Sequence, residues 1–470
     1  MKYRHNGQIA VTIVFFAALA VTFITGLIFL ASSFLQSSVR SLNKLRAFSI
    51  AEAGIEYYKW HLAHAPEDFE DGTGKPGPYV HNYYDDAGNL IGTFTLAITP
   101  PPPGSTAVVI KSSGNVAADS SITKIITVEM AIPSFAQDAW ALGSSFVEFG
   151  SAAQVYGIVQ SNAGIDFDGT AHNVVKSALT TTTDPYTGKT EWAVFTDGPP
   201  ADPQPPTALP TNQTVFMAGR SVGVPAIDFQ GLTEDLSSIM AQAEASGTYF
   251  PTSTALGYDL SLATSGIYSV YKVTATTTPP HGCNNPGNEP GWGTWSIQTE
   301  SLFATGTIPQ NGDMFFEGNL WVRGQINNKR VTIASGVFPD IAATRSNITV
   351  NNSLTYTNFN GSDMLALIAQ NNINIGLMSD DSLTIDGALV AMDGGIQRYS
   401  YSGCGSNATR SLLTTDGMLA SNATSGFYYS SSDGYQARSY NYDSNLLYGP
   451  PPSFPLSTNQ YSIISWDEVQ

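Results

Sequence analysis

From Gln8 to Val39 no side chain carries a charge, and no proline occurs between Met1 and Ala65. At about 1.5 Å per helical residue the uncharged run reaches roughly 48 Å, well past the 30 Å or so of a bilayer's hydrocarbon core. A chain that opens this way has to bury a long helix in lipid or against something equally apolar. Lys2 and Arg4 stand in the short leader that ends at Gly7. Under the positive-inside rule they hold the amino terminus in the cytoplasm, so the rest of the chain is expected outside. A secretory signal peptide fits poorly, because its apolar region runs to about 7–15 residues and closes on a small-residue cleavage site. Here the apolar run is about twice that length, and the helical pattern continues past Arg40. A plain membrane anchor stays open as the simpler alternative.

Beyond the anchor, Phe48, Ala51, Ile55, Tyr58 and Leu62 recur at offsets of three and four, which places them on one helix face. Such a face needs a partner. Arg40, Lys44 and Arg46 cluster just after the uncharged run, Glu52 lies at the edge of the stripe, and Pro66 ends the pattern. The spacing predicts one continuous helix over 8–64, apolar all round in its first half and amphipathic in its second.

These residues resemble type IV pilins and pseudopilins, and most closely the minor pilins of the PilX type. The resemblance covers the first 60 residues or so. It rests on a basic leader closed by a glycine, an uncharged helix that starts at once, and the segment RAFSIAEAGIE at Arg46–Glu56. It implies a leader at 1–7 cut by a prepilin peptidase after Gly7, so that Gln8 becomes the new amino terminus. It also implies a helix that moves from membrane to filament, with the membrane and other pilin-like subunits as partners. Many pilins carry Phe or Met at the first mature position and glutamate at the fifth. Here Gln8 and Thr12 stand there, and the missing glutamate favours a minor or initiating component over the bulk subunit.

Charge is divided unevenly along the chain. Residues 1–64 hold six Lys/Arg against two Asp/Glu, and the remainder holds fourteen against thirty-six. An exterior this acidic repels nucleic acid, so no nucleic-acid partner is expected. With only 12% charged residues and many Ser, Thr, Asn, Gly and Tyr, the composition describes a β-rich extracellular surface. Residues 65–132 read as an antiparallel β-meander able to cover the helix face. Its strands are expected at Gly92–Thr99, Thr106–Ser113 and Ile122–Ala131, with turns at Pro100–Gly104 and Asp119–Ser121. Helix and meander together make an α+β, pilin-like unit.

From 133 to 470 the pattern becomes short apolar pieces closed by Asn, Asp or Gly, such as Val147–Gly150, Ile165–Gly169, Ile348–Asn351, Ile373–Gly376 and Leu383–Gly387. Three-residue strands between tight turns are what a right-handed parallel β-helix uses, each coil relying on its neighbours for burial. The intervals follow no clean period, so a β-sandwich or lectin-like domain remains the alternative. Polar excursions interrupt the pattern at 179–213 and 276–294. Leu232, Leu236, Ile239, Met240 and Ala243 predict one amphipathic helix, with Thr233 as N-cap and Gly247 past its end. Residues 438–470, rich in proline and tyrosine, are expected to lie as an extended strap across the domain.

Candidate chemistry is sparse. The six histidines form no H-E-x-x-H, and neither a G-x-S-x-G elbow nor a phosphate loop occurs. Asp166, Asp168 and Gly169 begin like a calcium loop but lack the later acidic ligand, and Asp380 with Asp381 could supply a carboxylate pair. Both groups read better as turn formers, so no catalytic residue, metal or cofactor is expected and the chain reads as a non-enzyme. Cys283 and Cys404 are an even pair outside an oxidising boundary and are expected to form a disulfide. The function expected from all this is surface contact, adhesion or assembly by a membrane-anchored extracytoplasmic protein, with a surface glycan or protein as ligand. The alternatives are a surface protein that never enters a filament and a carbohydrate-active β-helix enzyme.

Overall fold

The computed structural model describes residues 6–102, 104–229, 231–423 and 425–469. They divide into two compact units: one of 1–102, 107–132 and 459–470, the other of 103–106 and 133–458.

In the first unit one helix, α1 (Asn6–His64), runs unbroken, as a stretch without proline allows. Every described side chain from Ile9 to Leu42 is exposed. From Ala47 onward the helix changes character: Ala47, Ile50, Ala51, Ile55, Tyr58 and Leu62 are buried, and Phe48 packs at their edge. This stripe covers an antiparallel sheet of β1 (Tyr79–Tyr84), β2 (Leu90–Thr99), β3 (Val108–Val116), β4 (Asp119–Ala131) and the C-terminal strand Ser462–Val469, in that order. Phe94, Leu96, Val108, Ile110, Ile126 and Val128 supply the other half of the core. Two glycines set how closely helix and sheet approach. A Cβ on Gly54 would strike the Ser112 hydroxyl, and one on Gly114 would strike the Ala47 carbonyl. The small residues of AEAGIE therefore serve contact with the sheet.

The second unit is built from parallel ladders. Thr248–Phe250, Asp313–Glu317, Arg330–Gly336, Met364–Ala369, the ends of Ser382–Ala391 and Thr409–Ser421, Trp140–Leu142, Val159–Ser161, Val175–Ser177 and Arg220–Val222 pair in that order, each parallel to the next. Chain order and ladder order differ. The chain enters mid-ladder at Trp140, walks out to Val222, restarts at Thr248 on the other end, and returns until Leu419–Ser421 pairs with Trp140–Leu142. The link between the two ends contains helix α2 (Gly231–Ser246). Its Leu236, Ile239 and Ala243 cluster with Phe315, Ala334, Ile368 and Val390 on the outer face of this ladder. The inner face, with Trp140, Val159, Ile333, Leu367, Leu389 and Leu419, joins one core that runs through the unit. A strand buried on both faces reads as a continuous apolar run, as MLALIA at Met364–Ala369 does.

Several expectations need correction. The β3–β4 turn falls at Ala117–Ala118, and Asp119–Ser121 already belongs to β4. β1 had no place in the expected meander. The 179–213 excursion contains a hairpin, Thr181–Thr183 against Thr190–Trp192, and the Arg220 guanidinium on Asp202 ties its continuation down. The 276–294 excursion joins two antiparallel strands, Ile267–Thr276 and Ile297–Thr307. The expected strap over 438–470 breaks into three pieces. Asp433–Tyr442 is a parallel strand, Leu446 and Phe454 seat the proline-rich stretch in the α2 cluster, and Ser462–Val469 pairs antiparallel with β4 in the first unit. Ladder hydrogen bonds and the Trp466–Phe48 ring contact win over an isolated extended course. Leu232 and the Thr233 cap lie outside the described side chains, as does the leader up to His5.

Candidate functional site

Two regions concentrate functional residues: the exposed length of α1 and a cavity on the second unit. Gly7 and Gln8 lie in the first turn of α1, with their side chains outside those described. Thr12 lies on the exposed apolar length, and Glu52 projects from the side of α1 away from the sheet. The helix is long and apolar enough to cross a membrane, and its most apolar stretch is not buried. The first-unit core therefore buries none of this membrane-length stretch.

Cys283 and Cys404 are joined in a disulfide across a sequence separation of 121. Around it, Leu377, Tyr399, Tyr401 and Ala408 form a small cluster, with Trp292 packed against it. The Trp292 Nε1 donates to the Ser400 carbonyl at 3.0 Å and the Tyr401 hydroxyl to the Gly293 carbonyl at 2.8 Å. Disulfide, aromatics and hydrogen bonds together hold the 276–294 loop on the ladders. Further along the loop, the Trp295 carbonyl accepts from Trp321 Nε1 at 2.9 Å and from Asn351 Nδ2 at 2.6 Å.

Beside this loop lies a cavity of about 280 Å³. Register builds its floor: Asp259 pairs with Trp321 and Trp321 with Thr349 on successive parallel strands, so the three side chains form a column. Arg323, two residues on from Trp321, points to the same side. The strand Ile297–Thr307 contributes Gln298 and Glu300. Arg323 Nη2 stands 2.7 Å from Asp259 Oδ2, off the axis of a hydrogen bond, and donates to Glu300 Oε1 at 3.1 Å. Burial pushes the Asp259 carboxyl upward, Glu300 adds to the shift, and Arg323 opposes it. Sequence reasoning missed this group, because its members come from strands far apart in the chain. The one available signal was the alternation in Tyr258–Leu262, which turns Asp259 and Ser261 away from the apolar side.

The carboxylates singled out earlier are occupied elsewhere. Asp380 accepts from Asn352 Nδ2 and from the Ser353 amide, each at 2.9 Å, and Asp381 accepts from the Ser411 hydroxyl at 2.6 Å. Each ties one turn to the next, so the two do not face a common substrate. Asp168 accepts from the Thr196 hydroxyl and the Gly198 amide at 2.7 and 2.8 Å. Asp166 is buried in register with Glu148. Among the described residues no group of three or more His, Cys, Asp or Glu is arranged to hold a metal ion.

No family model matches this chain, and no curated protein does. Among solved structures, the competence-associated pilin ComZ from Thermus thermophilus aligns over 91% of this chain and 98% of its own, at 13% identity and a TM-score of 0.32. A TM-score of that size does not establish a shared fold.

Proposed function

We propose that this chain is a minor type IV pilin-like protein, similar to the PilX type, which inserts through α1 and presents the second unit as a right-handed parallel β-helix for surface contact, adhesion or assembly. One observation carries the reading. A single helix is exposed from Ile9 to Leu42 and uncharged as far as Val39, and from Ala47 to Leu62 one of its faces is buried on an antiparallel sheet. A helix of this kind fits a subunit that rests in a bilayer and later packs its free length against other helices in a filament. In this reading prepilin peptidase cuts after Gly7, Thr12 takes the place of the usual glutamate, and the protein works by binding rather than by catalysis. The acidic exterior disfavours nucleic acid as the ligand.

Mass spectrometry of the mature amino terminus tests it: a chain that begins at Gln8 supports the pilin reading, and an uncut Met1 overturns it. The second reading, a membrane-anchored protein outside any filament, is favoured by the long exposed helix alone. Recovery only with membranes, never with sheared filaments, would select it.

A further inference from the structure

Further along the outer face on which α2 packs, the ladder turns polar. Ala141, Gln160 and Lys176 stand in register on successive parallel strands, while their neighbours Trp140, Val159 and Val175 turn inward to the core. This column lines a cavity of about 580 Å³, together with Phe135, Gln137 and Asp138 and the segment 225–228. Side chains fix that segment in place. Asn162 Nδ2 donates to the Ile227 carbonyl at 2.8 Å, Asn162 Oδ1 accepts from the Ile227 amide at 2.7 Å, and Gln160 Nε2 donates to the Pro225 carbonyl at 2.9 Å. The cavity is thus preformed, as ligand sites generally are.

Its charged pair is incompletely satisfied and open to solvent. Lys176 Nζ stands 3.9 Å from Asp138 Oδ1, beyond hydrogen-bond reach, and the two side chains keep 28% and 13% of their surface accessible. Among the described residues nothing donates a hydrogen bond to the Asp138 carboxylate. Burial accordingly raises its carboxyl to about 6, and Lys176 alone opposes the shift. An accessible acceptor and an accessible donor stand side by side, each with hydrogen-bonding capacity unused.

The chemistry narrows the ligand. An anion would meet the Asp138 carboxylate and that of Asp228, and a cation would meet the Lys176 ammonium beside the carboxylate it seeks. An apolar ligand would take water from both charges and return no hydrogen bond. A backbone peptide group cannot bridge the pair, because its N–H and C=O point in opposite directions. Two hydroxyls on adjacent carbons can: one donates to the carboxylate while the other accepts from the ammonium. Phe135, Ile227 and Leu456 line the same cavity and offer apolar surface to the C–H face of a sugar ring. The volume lies within the range of about 300–1,000 Å³ typical of ligand sites, far more than a lone side-chain carboxamide would fill.

We infer that the cavity beside Asp138 and Lys176 is a glycan subsite that takes the vicinal diol of an uncharged pyranose. Asp138 accepts from one hydroxyl and Lys176 donates to its neighbour. The inference gives the surface-contact role proposed above a ligand class and rests on it.

Saturation-transfer NMR and calorimetry on the full-length protein in detergent test it, with short oligosaccharides of glucose, galactose, mannose and N-acetylglucosamine as probes. At least one probe is expected to bind saturably. Asp138→Asn keeps the shape and removes the charge, and Lys176→Met keeps the stem and removes the ammonium. Each should weaken binding by about tenfold or more without lowering the melting temperature. Ala226→Trp, at an exposed position of the lining, should fill the cavity and abolish binding in a folded protein. Four results would each overturn the inference: no saturable binding up to about 10 mM, full binding by both charge variants, equal binding of a polyethylene glycol, or binding of a glutamine-bearing peptide in place of any sugar. A mature chain that starts at Gln8 yet binds no sugar sinks the subsite and leaves the pilin reading standing. Sugar binding by a chain with an uncut Met1 does the reverse.

Discussion

Asp166 shows how much one residue's chemistry depends on its neighbours in space. In sequence it opens an Asp-x-Asp-Gly turn; in the structure it sits in register with Glu148, and burial pushes its carboxyl up to about 8, with Asp168, Asp197 and Glu148 adding to the shift. The ordinary unfolded value is about 3.9, so between roughly pH 4 and 8 the native state binds a proton that the unfolded chain has lost. Stability from this group is therefore full below about pH 4 and is lost as pH rises through 8. Asp386, pushed up to about 7 by burial, and Asp138 and Asp313, each to about 6, slope the same way. Asp166→Asn isolates one contribution. Thermal melts of this variant should show a gain on the order of 1 kcal/mol over the parent at pH 8, and no gain near pH 4. A gain equal at both pH values would show that the carboxyl is ionised in the fold at pH 4.

At the scale of elements, the sequence was most legible where one period ruled. Offsets of three and four located the docked face of α1, and Phe48 proved to be its edge, capped by the Trp466 ring at a centroid distance of 6.1 Å. Short apolar triplets located Val147–Phe149, Ile165–Phe167 and Ile373–Ile375. The Ala117–Ala118 turn escaped because it carries no glycine, proline or asparagine to mark it. The role of Ser462–Val469 escaped because a lone strand has no visible partner. Deleting residues 459–470 should expose the edge of β4, remove the Trp466 contact and break the Lys124–Glu468 pair. We expect a loss of about 2 kcal/mol or more and new concentration-dependent aggregation, read by thermal melts and light scattering. Unchanged melting and light scattering would show that the strand adds nothing to the sheet.

For the whole molecule, connectivity is the unexpected property. The second unit is inserted between two hydrogen-bonded neighbours, β4 and the C-terminal strand. Its own ladder is interleaved, with Trp140–Val222 continuing the stack that ends at Ser421. A chain cut in the exposed stretch near Thr207 should therefore stay together, since each fragment supplies neighbours the other needs for burial. A protease site introduced there should give two bands on a denaturing gel and one peak on native size exclusion. Separation of the fragments without denaturant would contradict the interleaved ladder. This order also explains the missing repeat period: winding starts in mid-ladder, and inserted ribbons and turns of unequal length separate the strands.

The sequence by itself determined the membrane-length helix, the face that docks it and the β-rich, acidic character of the chain beyond residue 64, because charge, length and short-range periodicity are local properties that survive any choice of fold. It also located the cysteine pair and the turn-linking Asp168, Asp380 and Asp381, whereas Asp166, read as a turn former, lies buried in the strand Ile165–Phe167. Only the tertiary structure decided which strands pair, that the tail returns to β4, and that Asp259, Glu300, Arg323 and Thr349 share one cavity. Those outcomes depend on parallel register between segments far apart in the chain, and register is set by the burial of all the strands together rather than by any one of them.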